Sequence, residues 1–428
     1  MEKTRANKEY MVIVEDAETV KANNPQRSLF DEDSQEPFVA TLPESQHTTS
    51  AAIVKWYESK PQEHRPHMGA SLIGHECERY IWNTWRWALK PSFPGRILRL
   101  FSSGVREESR LIEELRGIGA TVWETDPDTG AQWRVSACNG HFGGSLDGVA
   151  QGVPEAPKTP CVLEFKTHND KSYTALVAKK VKEAKPQHYD QMIIYMGLMQ
   201  IDRALYMGVN KNTDDVHTEW VHFDEDRFKH LLLKAQRLID MTEPPQRLSE
   251  DPAHWQCKMC NFHPVCHGDK AAEANCRTCC HATPATKAEW RCELDKQPIS
   301  LNMQRHGCQH HLMIPALVPY ATPTDGGDNY VIYTHKASGK QFSNGPGPEP
   351  RFSSRELEHC PGSLIEDVGA MKEVFTTAKV VKPTVVDPWT DMPSDDLDAI
   401  PTKRDTQAVR EKKTRISKSL DTLRSFQP

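Results

Sequence analysis

The chain has 428 residues, 37% of them apolar and 26% charged, with a formal net charge of −6 and 12 cysteines. That length allows two or three domains and a large core, and the net charge excludes a bulk electrostatic pull toward nucleic acid, so any such binding has to be local. No apolar run approaches the roughly 18 residues of a membrane span. The opening "MEKTRANKEY" has no signal-peptide apolar region, so a cytoplasmic protein with reduced thiols is expected. Its cysteines then read as metal ligands or buried thiols rather than disulfides.

Residues 1–48 are polar and mixed in charge, and are expected to be flexible. "GASLIGHECERYIWNTWRWALK" (69–90) predicts a helix, with Cys77, Ile81, Trp85 and Leu89 on one face. "GVREESRLIEELRGIGA" (104–120) predicts a second, with Leu111, Ile112, Leu115 and Ile118 as its apolar stripe. Glu108 lies on that stripe, whereas Glu107, Glu113 and Glu114 read as solvent charges. Strand-like runs follow in "ATVWET", "WRVSA", "HFGGSLDGVAQG" and "CVLEFKT". "KPQHYDQMIIYMGLMQ" (185–200) predicts a helix, "RALYMGVNK" and "TEWVHFD" predict strands, and "EDRFKHLLLKAQRLIDM" (225–241) a long amphipathic helix. The order implies a mixed α/β domain. Further on, residues 329–345 read as a β-hairpin, and Ser353 with Glu356 as a capping box. The stretch 381–428 ends in a basic tail, a solvated face or a nucleic-acid contact.

In a strand, side chains at i and i+2 share a face, so Glu164 and Lys166 point together while Leu163 and Phe165 point into the opposite layer. If "GGSLDGV" pairs antiparallel with "CVLEFKT", Asp147 reaches the same spot. Two carboxylates with waters and phosphate oxygens suit Mg²⁺, and a nearby lysine can assist an attacking water and stabilise charge on phosphate. The pattern therefore fits metal-assisted phosphodiester hydrolysis. On its own, however, E-x-K also suits a surface hairpin with a cross-strand ion pair. Glu108 on an apolar helix face, the glycines 143, 144 and 148 around Asp147, and Gln191 with Tyr195 one helical turn apart extend the pattern.

On these residues, residues 65–270 resemble the PD-(D/E)XK nuclease superfamily, and within it the RecB-like exonucleases, which include phage exonucleases and CRISPR-adaptation nucleases. The resemblance implies an α/β, restriction-endonuclease-like mixed sheet flanked by helices. It implies Glu108, Asp147 and Glu164 as ligands of Mg²⁺ or Mn²⁺, and Lys166 as the residue assisting water. It also implies Gln191 and Tyr195 as the "QxxxY" element that steadies the lysine and the DNA strand.

"CKMCNFHPVC" places Cys257, Cys260 and Cys266 as C-x2-C-x5-C, one thiolate short of a four-coordinate site. Cys77, on the predicted buried stripe, is a candidate fourth ligand. RecB-like nucleases that carry an iron–sulfur cluster split their cysteines in this way, with a C-x-R that Cys77-Glu78-Arg79 matches. A 4Fe-4S cluster is the expected occupant, and zinc with His263 or His267 is the competing one. A second group, Cys276, Cys279, Cys292, Cys308 and His311, has the spacing of a zinc framework with more ligands than a tetrahedral site needs.

"RYIWNTWRW" (79–87) alternates aromatic and basic residues, which suits either base stacking or core packing; Arg79, Arg86 and Trp87 are the candidates to line a DNA channel. The expected organisation is a flexible segment (1–48), a nuclease domain closed by a cysteine cluster (49–270), a zinc-ribbon-like Cys/His-rich module with a hairpin and short helix (271–380), and a flexible basic tail (381–428). The expected function is a metal-dependent DNA exonuclease acting on single-stranded or unwound ends. Its setting by resemblance is phage-type recombination or DNA degradation in a bacterial cytoplasm, with a recombination or replication protein as partner. The alternatives are a non-catalytic DNA-binding recombination accessory protein and a metal-stabilised scaffold for a protein partner.

Overall fold

The computed structural model of the protein describes residues 48–365 and 367. Most of the expected flexible N-terminal segment, and the whole basic tail 381–428, lie outside the described residues. The chain divides into two units, Met1–Ile53 and Val54–Pro428; the described part of the first is the opening of helix α1 (Thr48–Glu58), and everything below concerns the second.

The second unit opens with a two-residue strand β1 (Met68–Gly69), helix α2 (Glu78–Trp85) and the 23-residue helix α3 (Gly95–Gly117). Strands β2 (Thr121–Trp123), β3 (Arg134–Ala137), β4 (Phe142–Ser145), β5 (Gly148–Gln151) and β6 (Cys161–His168) follow. Helices α4 (Asp170–Ala184) and α5 (Pro186–Met199) cross over to β7 (Arg203–Asn210), which turns back through β8 (Val216–His222) into α6 (Glu225–Asp240). The central sheet has the order β2-β5-β6-β7-β8. Its β6–β7 pair is parallel and its other pairs are antiparallel, as a helical crossover between β6 and β7 requires.

Residue alternation decides which layer each strand feeds. Leu163 and Phe165 of β6 join Leu205, Met207 and Val209 of β7 under Leu111, Ile112 and Leu115 of α3. Val162, Ala204 and Tyr206 face the other way, into a core built from α5 and α6. Helix α5 is buried at every position from Tyr189 to Met196, the mark of a helix enclosed by a core rather than lying on it. A bidentate pair from Arg227 to the buried Asp190, at 2.7 and 2.6 Å, ties α5 to α6.

Three sequence expectations change. The predicted helix over 69–90 shrinks to α2: Gly69 and Gly74 disfavour helix, Gly74 has no room for a side chain beside Asp190, and the His75 ring accepts the Cys77 N–H at 3.0 Å. Cys77 is thus the N-cap of α2 rather than part of its buried stripe. Helix α3 begins nine residues earlier than predicted, and its exposed Leu100, Phe101 and Val105 explain why the stripe looked shorter. The run "HFGGSLDGVAQG" is two strands in two sheets, β4 lying between β1 and β3, with the break at Leu146 and Asp147.

Beyond α6, short helices α7 (Trp255–Lys258) and α8 (His263–Cys266) carry the first cysteine group. A small antiparallel sheet of β9 (Ala282–Pro284), β10 (Trp290–Cys292) and β11 (Gln297–Ile299) precedes α9 (Leu301–His306). A four-stranded sheet of β12 (Ala321–Gly327), β13 (Tyr330–His335), β14 (Gln341–Asn344) and β15 (Arg351–Phe352) contains the expected hairpin as β13 and β14. Helix α10 (Ser354–His359) starts with the expected Ser353–Glu356 capping box. The cores run across the division expected near residue 270. Cys279, Ala282, Trp290 and Ile299 share a cluster with Trp85 and α5, and Trp82 packs with Tyr333 and Phe342.

Candidate active site

The parity of β6 puts Glu164, Lys166 and His168 on one face. The register Gly148↔Leu163, extended by one residue, brings Asp147 opposite Glu164. Asp147 sits on the bend where the chain leaves one sheet for the other, and its Oδ2 accepts the Phe165 N–H at 2.7 Å. The carboxylate thus occupies a hydrogen-bonding position that a longer β5 would fill with backbone.

Glu164 is wholly buried. Its Oε2 accepts from Gln191 Nε2 at 3.1 Å. Its Oε1 forms an ion pair with the Lys166 ammonium but receives no well-directed hydrogen bond. Lys166 also donates to the Phe165 carbonyl at 3.0 Å. Gln191 Nε2 lies 3.2 Å from the Tyr195 hydroxyl, so the residues one turn apart on α5 act as a single brace on Glu164. Glu108 is half-buried on α3, one turn before the helix enters the core.

These charges feel one another. Burial pushes the Glu164 carboxyl up to about 7, with Lys166 opposing and Asp147 and Glu108 adding to the rise. Burial also raises Asp147, against the pull of Lys166. Burial and then the Asp147 charge raise Glu108. Burial works against the Lys166 ammonium, but Glu164, Asp147 and Glu108 outweigh it and hold the lysine above its ordinary value. Thus Glu108, Asp147, Glu164, Lys166, Gln191 and Tyr195 form one electrostatic and hydrogen-bonded group.

The glycines near Asp147 serve the protein rather than a ligand. A Cβ on Gly143 would collide with the Val135 carbonyl, and one on Gly144 would lie 2.6 Å from the Tyr195 hydroxyl. Because Tyr195 is buried it has nowhere to retreat. Gly144→Ala is therefore expected to cost about 1–3 kcal/mol of stability and to loosen Gln191 from Glu164. Thermal unfolding checks the first effect, and the turnover of any cleavage activity checks the second.

Sequence reasoning missed a polar network behind the lysine. His168 Nε2 and His188 Nδ1 lie 2.8 and 2.9 Å from the Tyr206 hydroxyl, and His168 Nδ1 lies 3.0 Å from Ser172 Oγ. Burial first, then Lys185 and Lys166, lower His168 to about 4; burial first, then Lys166, lowers His188 to about 3. Both rings are neutral at pH 7. The available signal was His168, two residues beyond Lys166 on the same strand face.

The aromatic segment is core. Trp82, Trp85, Trp87, Arg79 and Arg86 are all buried, which leaves Arg86 and Trp87 almost no surface to offer a DNA strand, while Arg79 keeps an edge on a cysteine-lined pocket. Cys77, Cys257, Cys260 and Cys266 line one pocket with Arg79 and Asn83. Cys276, Cys279, Cys292 and Cys308 line another with His281, His310 and His311. Among the described residues, no group of three or more His, Cys, Asp or Glu side chains is closed into a ready metal-holding cluster. No described helix is long and apolar enough to cross a membrane.

No family model and no curated protein sequence matches the chain. Among solved structures it is similar to SSO0001, at 14% identity and a TM-score of 0.32, over 52% of this chain and 98% of that one. It is similar to the alkaline exonuclease LHK-Exo from Laribacter hongkongensis, at 14% identity and a TM-score of 0.27, over 43% of this chain and 89% of that one. The complex of LHK-Exo with dAMP gives 11% identity and a TM-score of 0.30, over 44% and 90%. Likeness at this level carries neither fold nor activity from those proteins to this one.

Proposed function

We propose that the chain is a divalent-metal-dependent deoxyribonuclease of the PD-(D/E)XK kind, an exonuclease that hydrolyses phosphodiester bonds at DNA ends. The observation that carries this reading is the meeting of Asp147, Glu164 and Lys166 on one buried face, with the half-buried Glu108 within electrostatic reach, where burial pushes each carboxyl toward its neutral form. Concentrated negative charge of that kind is costly alone and suits a hard cation. Glu108, Asp147 and Glu164 would hold Mg²⁺ or Mn²⁺, which when bound supplies Lewis acidity and a more acidic water. Lys166 presents its ammonium beside Glu164, where it would stabilise charge developing on a phosphate. Gln191, itself in contact with Tyr195, fixes the Glu164 rotamer. A setting in phage-type recombination or DNA degradation rests on family resemblance only.

The test is incubation of end-labelled single- and double-stranded DNA with the purified protein and Mg²⁺ or Mn²⁺. A ladder growing from one end, absent without metal and absent in Asp147→Asn, is expected. No cleavage by a folded protein with either ion would sink the proposal.

The proposal includes both thiol groups as structural metal sites. Cys77, Cys257, Cys260 and Cys266 share one pocket, and the Cys260 thiol lies within electrostatic reach of the other three. The buried Arg79 offers counter-charge beside Cys266 and Cys77. A 4Fe-4S cluster fits this donor set, and zinc is the competing occupant. Protein purified without oxygen is expected to be brown, and to lose its visible absorption in Cys257→Ala. A colourless wild type with stoichiometric zinc in this pocket would assign zinc instead. The second thiol group is read as a zinc site.

A further inference from the structure

Among the described residues, the buried Arg86 and Arg277 form no ion pair with a carboxylate, although Glu243 lines a pocket with Arg86. Arg277, the residue after Cys276, is 1% exposed and Arg86 is 2% exposed. The Arg277 guanidinium lies over Trp87, Trp85 and Trp290, at 3.8, 4.7 and 4.8 Å from their ring centres. It donates to Gln304 Oε1 at 3.0 Å and to the carbonyls of Trp85 and Pro66 at 3.2 and 2.8 Å. Arg86 donates to the carbonyls of Arg277 and Ala282, both at 3.3 Å, and of Met241 at 2.9 Å. Carbonyl dipoles and aromatic faces solvate these cations but leave two like charges side by side. A buried charge normally requires a counter-charge.

The second thiol group is a source of negative charge within reach of Arg86. Cys276 and Cys279 flank Arg277 in sequence and line one cavity with Cys292, at the end of β10, and Cys308, in the turn after α9. Cys276 lies within electrostatic reach of the other three thiols, and Arg86 lies within reach first of Cys280 and then of Cys279. The Leu312 N–H already points at Cys279 Sγ, at 3.5 Å. His311 lines the same cavity, but its Nε2 is engaged by the Asn275 carbonyl at 2.8 Å and by Thr278 Oγ1 at 3.2 Å. Its buried Nδ1 has no partner, nor has the buried Nε2 of His281 in the same cavity, so these two rings are rival ligands.

We infer that Cys276, Cys279, Cys292 and Cys308 bind Zn²⁺ as four thiolates, and that the resulting double negative charge is the missing partner of Arg86. This deepens the zinc reading of the second thiol group and is independent of nuclease activity, since zinc can be counted in a protein that cleaves nothing. The ion binds with release of the four thiol protons to solvent and draws the sulfurs inward, because the thiols are not yet closed around a point. Because Trp290 and Cys279 share a core with Trp85 and α5, the ion would also brace the base of the central sheet.

The experiment is zinc content and zinc-edge X-ray absorption on the full chain, with Cys257→Ser as a control for the first thiol group. One zinc retained in Cys257→Ser and His311→Ala, lost in Cys292→Ser and Cys308→Ser, and four sulfur neighbours at about 2.3 Å is the expected result. Arg86→Met should weaken zinc retention against a competing chelator at least tenfold, whereas Arg86→Lys should restore part of it. A nitrogen neighbour at about 2.0–2.1 Å in the Cys257→Ser protein, with zinc lost in His311→Ala or His281→Ala, would overturn the four-thiolate assignment. Absence of zinc from the wild type, or zinc unchanged in Cys308→Ser, would overturn the site altogether.

Discussion

Lys166→Met is expected to slow DNA cleavage by about 10²–10³-fold, the cost of removing one preorganised charge from a phosphoryl-transfer site, while the protein still folds and binds DNA. The loss has two sources. The ammonium that would meet the developing phosphate charge is gone, and Glu164 is left buried with only Gln191 to satisfy it. An unpaired buried carboxyl shifts further toward its neutral form, and a neutral Glu164 is a poor metal ligand. The defect should therefore lie in kcat more than in KM, and partial recovery should follow when pH or metal concentration is raised. Single-turnover cleavage and DNA binding measured with Ca²⁺ in place of Mg²⁺ separate the two effects. Wild-type turnover in this variant would remove Lys166 from the chemistry and, with it, the strongest support for the site.

The arrangement of that site was legible because it obeys short-range rules. Strand parity placed Glu164 with Lys166 and sent Leu163 and Phe165 to α3, and helical spacing placed Gln191 with Tyr195. What stayed hidden depends on tertiary structure. Helix α4 is mostly polar, with Leu176 and Val181 its only buried side chains, so its periodicity is faint and its Asn169 cap was the one local signal. The strand break at Asp147 is hidden in a glycine-rich run with too few apolar side chains to mark a change of parity. The tryptophans and arginines of 79–87 carry the composition of a nucleic-acid surface, yet their packing partners, Trp290 and Arg277, lie some two hundred residues away in sequence. His168, His188 and Tyr206 come from a strand, a helix and a second strand, so their meeting follows from the β6–β7 crossover and from nothing local.

Glu164→Gln is expected to abolish metal-dependent cleavage and yet to make the metal-free protein more stable at neutral pH. The carboxyl titrates near 4.5 when exposed and is pushed up to about 7 by burial in the fold. A raised carboxyl contributes stability that is intact below pH 4.5 and is lost as pH climbs through about 7, because the folded state holds a proton that the unfolded chain has released. At about 1.4 kcal/mol per pH unit, that gap is worth roughly 3 kcal/mol. His168 and His188 titrate in the opposite sense: their neutral rings lose stability as pH falls below 6.5 toward about 4 and 3. The wild-type curve alone mixes these effects, whereas the difference between the Gln variant and wild type isolates Glu164. Without added divalent ion, that difference should grow in favour of Gln by roughly 3 kcal/mol between pH 4.5 and 7, less whatever Lys166 loses with its partner. Mg²⁺ at pH 8 should then stabilise the wild type more than the variant, since a bound cation relieves the repulsion that the variant has already removed. Thermal unfolding of both proteins across this range reads the effect. A difference independent of pH would mean that Glu164 is not the strained, charge-bearing group the metal site requires.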